Sequence, residues 1–372
     1  MAKKDGFSPA DREYMQRALD LAVRARGRTA PNSMVGAVIV REGVIVGEGY
    51  HRRAGGDHAE ISALKKAGPK AEGAVIYVTL EPCCHTGLTG PCTDRLIKAG
   101  IKKVIYAIKD PDPRVNGRGA KALATAGLEV SGGLLKEAAL RINEIYFGNL
   151  FNNRPFIILK TVQSLDGRIA TATGASRWLS GTDSLDLAHQ LRAEVDAVVV
   201  GAGTVRADNP ALTVRRVAGK NPYRIIISGS LRIPPHCRLL NDNKDYRTIL
   251  VSSGSAIARF TGNNKMNKPV IWKVKKNRDG HIDLHDFVAK ATQFGLRSLL
   301  VEGGAKLVTS FLKAGLWDKY VIITTPLVIG RGIEAVGDLA VKKLSQAITF
   351  EHEEITFRGR DTVFIGYQKR DK

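Results

Sequence analysis

The stretch His58-Ala59-Glu60, followed by Pro82-Cys83 and Pro91-Cys92, constrains this chain more than any other feature in it. One imidazole and two thiols are donors of the kind zinc collects in a tetrahedron, and three protein donors leave the fourth position open for water. His58, Cys83 and Cys92 are the candidate metal ligands, each set at or beside the start of a helix. Helix N-termini favour thiolates, which suits such donors. Glu60 is then free to move protons and is the candidate catalytic residue. A closed structural zinc site would instead recruit Cys84 or His85 as a fourth ligand. It would have no use for Glu60, and the hydrolytic reading is preferred for that reason.

A chain of 372 residues is long enough for two domains. Its four cysteines, three of them clustered between Cys83 and Cys92 and the other at Cys237, do not form a disulfide framework and read as metal binding in a reducing compartment. Ser8-Pro9-Ala10-Asp11 has the pattern of a capped helix start and not of a secretory leader. No apolar run reaches the roughly 20 residues of a spanning helix, so the expected setting is cytoplasmic, with no membrane partner. The formal net charge is +21, and between Leu212 and Gly280 fifteen Lys or Arg stand against three Asp or Glu. That balance suits anionic partners, either nucleic acid or small phosphorylated substrates and cofactors. The alternative is a solvated basic face with no specific partner, since the charges are scattered without interleaved aromatics.

Strand and helix signals alternate from the start, which points to α/β layers. Strands are expected near 35–40, 44–48, 75–80 and 104–108, with helices at 58–67, 92–99 and 119–127. The segment 143–153 begins as a helix, turns polar at Asn149, Asn152 and Asn153, and closes at Pro155, so it reads as a seam between domains. Strands are then expected at 156–162, 195–200, 224–228, 248–252, 269–274, 298–301, 320–325 and 363–368. Further helices are expected at 182–193, 284–294 and 304–314, and a polar loop at 261–268.

His-Ala-Glu followed by Pro-Cys is the signature of the cytidine-deaminase superfamily, whose usual spacing is Cys-x-x-Cys. Here Cys83 is followed by Cys84-His85-Thr86-Gly87, and the partner Cys92 lies nine residues on. That longer spacing resembles the bacterial bifunctional deaminase/reductase family of riboflavin biosynthesis. Pro31-Asn32, the segment Gly49-Tyr50-His51 through Gly56, and Asp110-Pro111-Asp112-Pro113 through Gly119 extend the resemblance. It implies a cytidine-deaminase-like three-layer α/β/α sandwich over residues 1–147, acting on a phosphorylated pyrimidine held by Asn32, His51 and His85. The sequence departs from the family at Ser33 and Gly90. It also departs at Leu88, where the family tends to carry a basic residue able to meet the substrate phosphate. Arg52, Arg53, Arg114 and Arg118 are candidates for that contact.

The rest of the chain carries three further segments: Lys160 through Gly167 with Ser164-Leu165-Asp166-Gly167, Gly203-Thr204-Val205-Arg206-Ala207-Asp208-Asn209-Pro210, and Glu302-Gly303-Gly304 after a strand. Glycines at a strand-to-helix junction let backbone N–H groups approach a phosphate. Gly201-Ala202-Gly203 lacks a third glycine and a following helix signal, so a Rossmann reading is rejected. In this order the three segments resemble the reductase half of the same family. The resemblance implies a dihydrofolate-reductase-like α/β domain over residues 148–372 that uses NADPH. Cofactor contacts then fall to Val162, Trp178, Thr204, Asp208, Ser228, Gly303 and Gly304. Contacts to the ribosyl phosphate substrate fall to Ser176, Arg192, Leu212, Arg215 and Glu302. Ser228 stands where an acidic residue is expected, a change compatible with a 2′-phosphate. The implied activity is zinc-dependent deamination of the pyrimidine followed by NADPH reduction of its ribosyl chain, in an enzyme that tends to self-associate. The rival readings are a nucleic-acid adenosine deaminase with a fused basic domain and a non-catalytic RNA-binding protein on a deaminase scaffold. The Cys83–Cys92 spacing and the second half weigh against the first, and intact Glu60 with three intact ligands against the second.

Overall fold

The computed structural model describes residues 6–85, 90–177, 179–257 and 269–369. Leu88, Trp178 and the polar loop 261–268 therefore lie outside the described residues. The chain divides into two compact units, Met1–Phe151 and Asn152–Lys372.

In chain order the first unit runs α1 (Pro9–Val23), β1 (Gly36–Arg41), β2 (Val44–Tyr50), α2 (Ala59–Ala67), β3 (Val75–Val78), α3 (Cys92–Lys98), β4 (Lys103–Tyr106), α4 (Arg118–Thr125), β5 (Glu129–Gly132), α5 (Lys136–Ile142) and α6 (Glu144–Asn152). The start of α1 is the expected cap: Ser8 Oγ accepts from the Asp11 N–H while the Asp11 carboxylate accepts from the Ser8 N–H. The strands form one sheet in the order β2-β1-β3-β4-β5. Strand β1 is antiparallel to both neighbours, and β3, β4 and β5 are parallel. Alternating side chains feed two separate cores. Val38, Val40, Tyr77 and Ile105 pack with α1 and α5, whereas Ala37, Ile39, Ile76, Val78 and Val104 pack with α2, α3 and α4. Helices on both faces make three layers.

One of those contacts is unusually close. A Cβ at Gly49 of β2 would stand 2.3 Å from the Ala59 carbonyl oxygen and 2.5 Å from the Ala63 nitrogen, and one at Gly47 would stand 2.4 Å from the Ala63 oxygen. The glycines let α2 lie directly on the strand, and α2 carries His58 and Glu60 at its start. Gly49→Ala is expected to destabilise this unit by about 1–3 kcal/mol through overpacking. It should also lower the zinc content of the purified protein. Thermal melting and metal analysis check this, and an unaltered melt with full zinc would refute it.

The second unit runs β6 (Phe156–Ser164), β7 (Arg168–Thr171), α7 (Thr182–Glu194), β8 (Ala197–Gly201), α8 (Ala202–Asp208), β9 (Tyr223–Ile227), α9 (Arg238–Asn241), β10 (Thr248–Ser252), α10 (Gly254–Ile257), β11 (Val270–Lys273), α11 (Leu284–Gln293), β12 (Ser298–Val301), α12 (Ala305–Lys313), β13 (Lys319–Thr325), β14 (Gly332–Glu334), β15 (Phe350–Arg358) and β16 (Asp361–Gln368). Nine strands form one sheet in the order β11-β10-β9-β8-β12-β6-β13-β16-β15. Pairing is parallel from β11 to β13 and antiparallel at β16 and β15. One face packs Ile157, Val199, Ile225, Ile249 and Leu299 against Phe287 of α11 and Phe311 of α12. On the other face Ile158, Val198, Ile226, Leu250 and Leu300 are equally buried, as continuous apolar parallel strands require.

Two expectations are corrected. A helix does follow Gly201: α8 begins at once and buries Ala202 and Val205. Its seven residues carry too few apolar positions to show a helical period, and the absence of a third glycine still sets it apart from the Rossmann turn. The segment 143–153 stays helical through Asn152 because Phe147 and Gly148 are buried on it. Among the described residues no helix is long and apolar enough to cross a membrane.

Candidate active sites

His58 is the N-cap of α2, Cys92 is the first residue of α3, and Cys83 sits in the loop after β3. One nitrogen of His58 and the two sulfurs lie within 4.8 Å of one another. His58 Nδ1 is 3.2 Å from Cys92 Sγ and 3.5 Å from Cys83 Sγ. Zinc bonds of about 2.1 Å to nitrogen and 2.3 Å to sulfur at a tetrahedral angle give an edge of about 3.6 Å, so the spacing fits this metal. Protons within this cluster are unevenly held. The Cys92 S–H beside Cys83 holds the Cys83 thiol down at about 4, against burial and with help from His58. Sharing that proton and burial push Cys92 far up. The Cys83 sulfur in turn raises His58 to about 9.

Glu60 is 3% exposed. Burial, then the Cys83 thiolate, raises its carboxyl to about 7. It faces a cavity of about 250 Å³ that is also lined by Asn32, His51, His58, Cys83 and His85. His51 is buried, and its Nδ1 lies 3.0 Å from the Asp57 carbonyl. Burial holds this imidazole below its usual range. Nδ1–H then donates to Asp57, and Nε2 accepts from Asn32 Nδ2 at 3.3 Å. The peptide just before His58 is thereby tied to the two residues expected to read a ring edge. His85 Nδ1 is buried and has no hydrogen-bond partner among the described residues.

The cavity is also walled by the segment from Asp110, already part of the resemblance, and by Arg114, one of the phosphate-contact candidates; the buried Glu81 behind them is new. Glu81, buried, accepts from the N–H groups of Asp110 (3.3 Å), Gly117 (2.9 Å) and Ala120 (2.9 Å). It clamps the loop 110–117 beside Cys83 and brings Asp110, Asp112 and Arg114 to the cavity. Neither Arg52, Arg53 nor Arg118 lines the cavity.

In the second unit β8, β9, β12 and β6 run parallel; the last residue of β12, Val301, lies beside Val199 of β8 and Leu159 of β6, and β6 continues beyond it to Ser164, which places Ala202–Thr204, Ser228 and Glu302–Gly304 at the carboxyl edge of the sheet. In open α/β sheets ligands bind at that edge. Glu302 accepts from Arg192 Nε (2.6 Å) and Nη2 (2.8 Å) and from Lys160 Nζ (3.3 Å). Arg192 also reaches the Thr213 carbonyl at 3.4 Å, next to Leu212. The Arg215 N–H donates to His189 Nδ1 at 3.2 Å. Burial, then the Arg192 and Arg215 cations, holds His189 down at about 4, so it stays an acceptor. Lys160 and His189 are not among the residues the sequence points to, and the fold brings both to this cluster. At the other contact the Gly304 N–H donates to Thr204 Oγ1 at 3.1 Å. That group is satisfied within the protein. Arg177 donates to the Asp208 carbonyl at 3.3 Å. Val162 lies on β6, and Ser228, whose carbonyl accepts from Ser252 Oγ, lies just past β9. Ser176 is half-buried before α7.

Residues 8–108 match the cytidine and deoxycytidylate deaminase zinc-binding region, and residues 155–364 match the RibD C-terminal domain. The riboflavin biosynthesis protein RibD of Aquifex aeolicus is 41% identical over 356 residues, covering 95% of this chain and 98% of its own. The chain belongs to the RibD family. Among solved structures, Acinetobacter baumannii RibD superposes with a TM-score of 0.84 at 31% identity, covering 97% of this chain and 99% of its own. The Thermotoga maritima diaminohydroxyphosphoribosylaminopyrimidine deaminase/5-amino-6-(5-phosphoribosylamino)uracil reductase gives 0.83 at 31% identity, with the same coverage. The first unit thus has the cytidine-deaminase-like fold and the second the dihydrofolate-reductase-like fold of this family. The chain is a bifunctional deaminase/reductase of riboflavin biosynthesis, with a zinc-binding deaminase domain and a reductase domain.

Proposed function

We propose that this chain deaminates 2,5-diamino-6-ribosylamino-4(3H)-pyrimidinone 5′-phosphate and then reduces the ribosyl chain of the product to ribityl with NADPH. The observation that carries the first half is the convergence of His58, Cys83 and Cys92 beside a buried Glu60. The deaminase is placed in residues 1–147 and the reductase in 148–372, a division supported by compact units that part after Phe151.

His58, Cys83 and Cys92 hold zinc, which supplies Lewis acidity that makes water nucleophilic near neutral pH. Glu60 moves the protons: it takes one from the attacking water and gives it to the ring nitrogen, then takes the second from the added hydroxyl as the carbonyl forms and delivers it to the amine that leaves as ammonia. A carboxyl raised towards neutrality by burial suits both directions. Asn32, His51 and His85 hold the polar edge of the pyrimidine, and the fixed His51 tautomer defines which edge fits. In the second unit the residues at the carboxyl edge of the sheet would hold NADPH, which would supply the hydride for reducing C1′ of the opened ribosylamine. Val162, Trp178, Thr204, Asp208, Ser228, Gly303 and Gly304 are assigned to the cofactor. Ser176, Arg192, Leu212 and Arg215 are assigned to the ribosyl phosphate. Glu302 acts through Arg192 and Lys160, since an anion beside a phosphate serves best by orienting the cations between them.

The test is ammonia release from the diaminopyrimidine by purified zinc-replete protein, followed in the same cuvette by NADPH oxidation. Both signals in that order are expected. Ammonia without NADPH oxidation would remove the reductase assignment, and neither signal would remove both.

A further inference from the structure

The substrate class just proposed carries a phosphate, and the deaminase cavity is a poor place for one. Four carboxylates line it, those of Glu60, Glu81, Asp110 and Asp112. Among the described lining residues Arg114 is the one Lys or Arg. The undescribed segment 86–89 beside His85 reads Thr-Gly-Leu-Thr and holds no basic residue either.

Arg114 is also held in place. Its Nε lies 3.0 Å from Asp112 Oδ1 and its Nη2 lies 2.6 Å from Asp112 Oδ2, while its backbone N–H donates to Oδ1 at 2.9 Å. A guanidinium has five N–H donors, and this grip engages Nε and Nη2, with no bond from Nη1 among the described residues. The side chain is 69% exposed, and that of Asp112 19%. Beneath them the loop is pinned by Glu81, and Cys84 Sγ lies 3.6 Å from the Arg114 carbonyl. The cation therefore stands on a rigid loop that is keyed to the Cys83-Cys84 segment.

We infer that Arg114 is the specificity-determining residue of the deaminase half: it receives the 5′-phosphate, with Asp112 orienting its guanidinium. The inference rests on the proposed substrate. A phosphate at Arg114 leaves the pyrimidine to reach inward to His85, Asn32 and Glu60. The carboxylates elsewhere in the cavity repel the phosphate from the reacting end, so attraction and repulsion select one orientation.

The experiment compares ammonia release from the phosphorylated pyrimidine and from its dephosphorylated form, using the zinc-replete full chain. Wild type is expected to favour the phosphorylated substrate. In R114Q the ratio of kcat/KM between the two substrates should fall by roughly 10- to 100-fold, mostly through KM, as loss of a charge-assisted pair predicts. R114K should restore part of it, and R41Q, which alters an exposed arginine at the end of β1 farthest from the cavity-lining Val35, should leave the ratio unchanged. Inorganic phosphate should compete less well against R114Q than against wild type. Zinc content, measured on each variant, separates lost recognition from lost folding, and R114K carries the comparison if R114Q loses zinc. An R114Q enzyme that discriminates as wild type does would overturn the assignment while leaving the substrate standing. A wild-type enzyme that releases no ammonia from either pyrimidine would overturn the substrate itself, and the assignment with it.

Discussion

Glu60→Gln is expected to keep its zinc and to lose deamination by about 10²- to 10⁴-fold, the usual contribution of a positioned acid–base group. Glutamine matches the shape of the buried carboxyl, so the packing around α2 should hold. The three donors are on other side chains, so the metal should stay. What is removed is only the capacity to take and return a proton. The contrast is His58→Ala or Cys92→Ser, which should lose zinc and activity together. NADPH oxidation with the deaminated substrate supplied directly should be unaffected by Glu60→Gln, because that step belongs to the other unit. Metal analysis, ammonia release and NADPH oxidation on one preparation separate these cases. A Glu60→Gln enzyme that deaminates normally would remove Glu60 from the mechanism.

Much of this site was legible because metal chemistry is written in residue types. His58, Glu60, Cys83 and Cys92 announce a zinc site by what they are, and the strand and helix periods around them announce the scaffold. What could not be read depends on partners far along the chain. Glu81 gives no hint in sequence that it accepts from backbone at Asp110, Gly117 and Ala120. Arg114 was one arginine among four until the cavity walls were placed. In the second unit β15 was missed because it is an exposed edge strand: Glu351, Glu353, Glu354 and Thr356 alternate with nothing buried. Strands β7 and β14 pair only with each other and are too short to show a period. His189 looks like an ordinary helix residue, and only the fold sets it against the Arg215 backbone.

The reductase half should be most sensitive at Glu302, where Glu302→Gln is expected to cost about 3–5 kcal/mol, the usual penalty for stranding buried charge. Two cations share this carboxylate, and the side chains are 7% (Glu302), 13% (Arg192) and 12% (Lys160) exposed. Neutralising the carboxylate leaves Arg192 and Lys160 close together with little water to separate them. In a unit of this size that loss should lower the melting temperature by on the order of 10 °C. The dependence on acid identifies the cause. Burial raises the Glu302 carboxyl, but Arg192 and Lys160 outweigh it and hold the group down at about 2, from 4.5. Its folded pKa is depressed, so its stabilisation is fully present above about 4.5 and is lost as pH falls towards 2. The gap in melting temperature between wild type and Glu302→Gln should therefore be widest at neutral pH and should close over that window. NADPH oxidation should fall with the variant, because the guanidinium assigned to the ribosyl phosphate has lost the group that aims it. Deamination should not change. Inorganic phosphate should stabilise the variant more than wild type, since an anion can replace the missing charge between the two cations. A variant that melts as wild type does at neutral pH would show that Arg192 and Lys160 do not depend on Glu302.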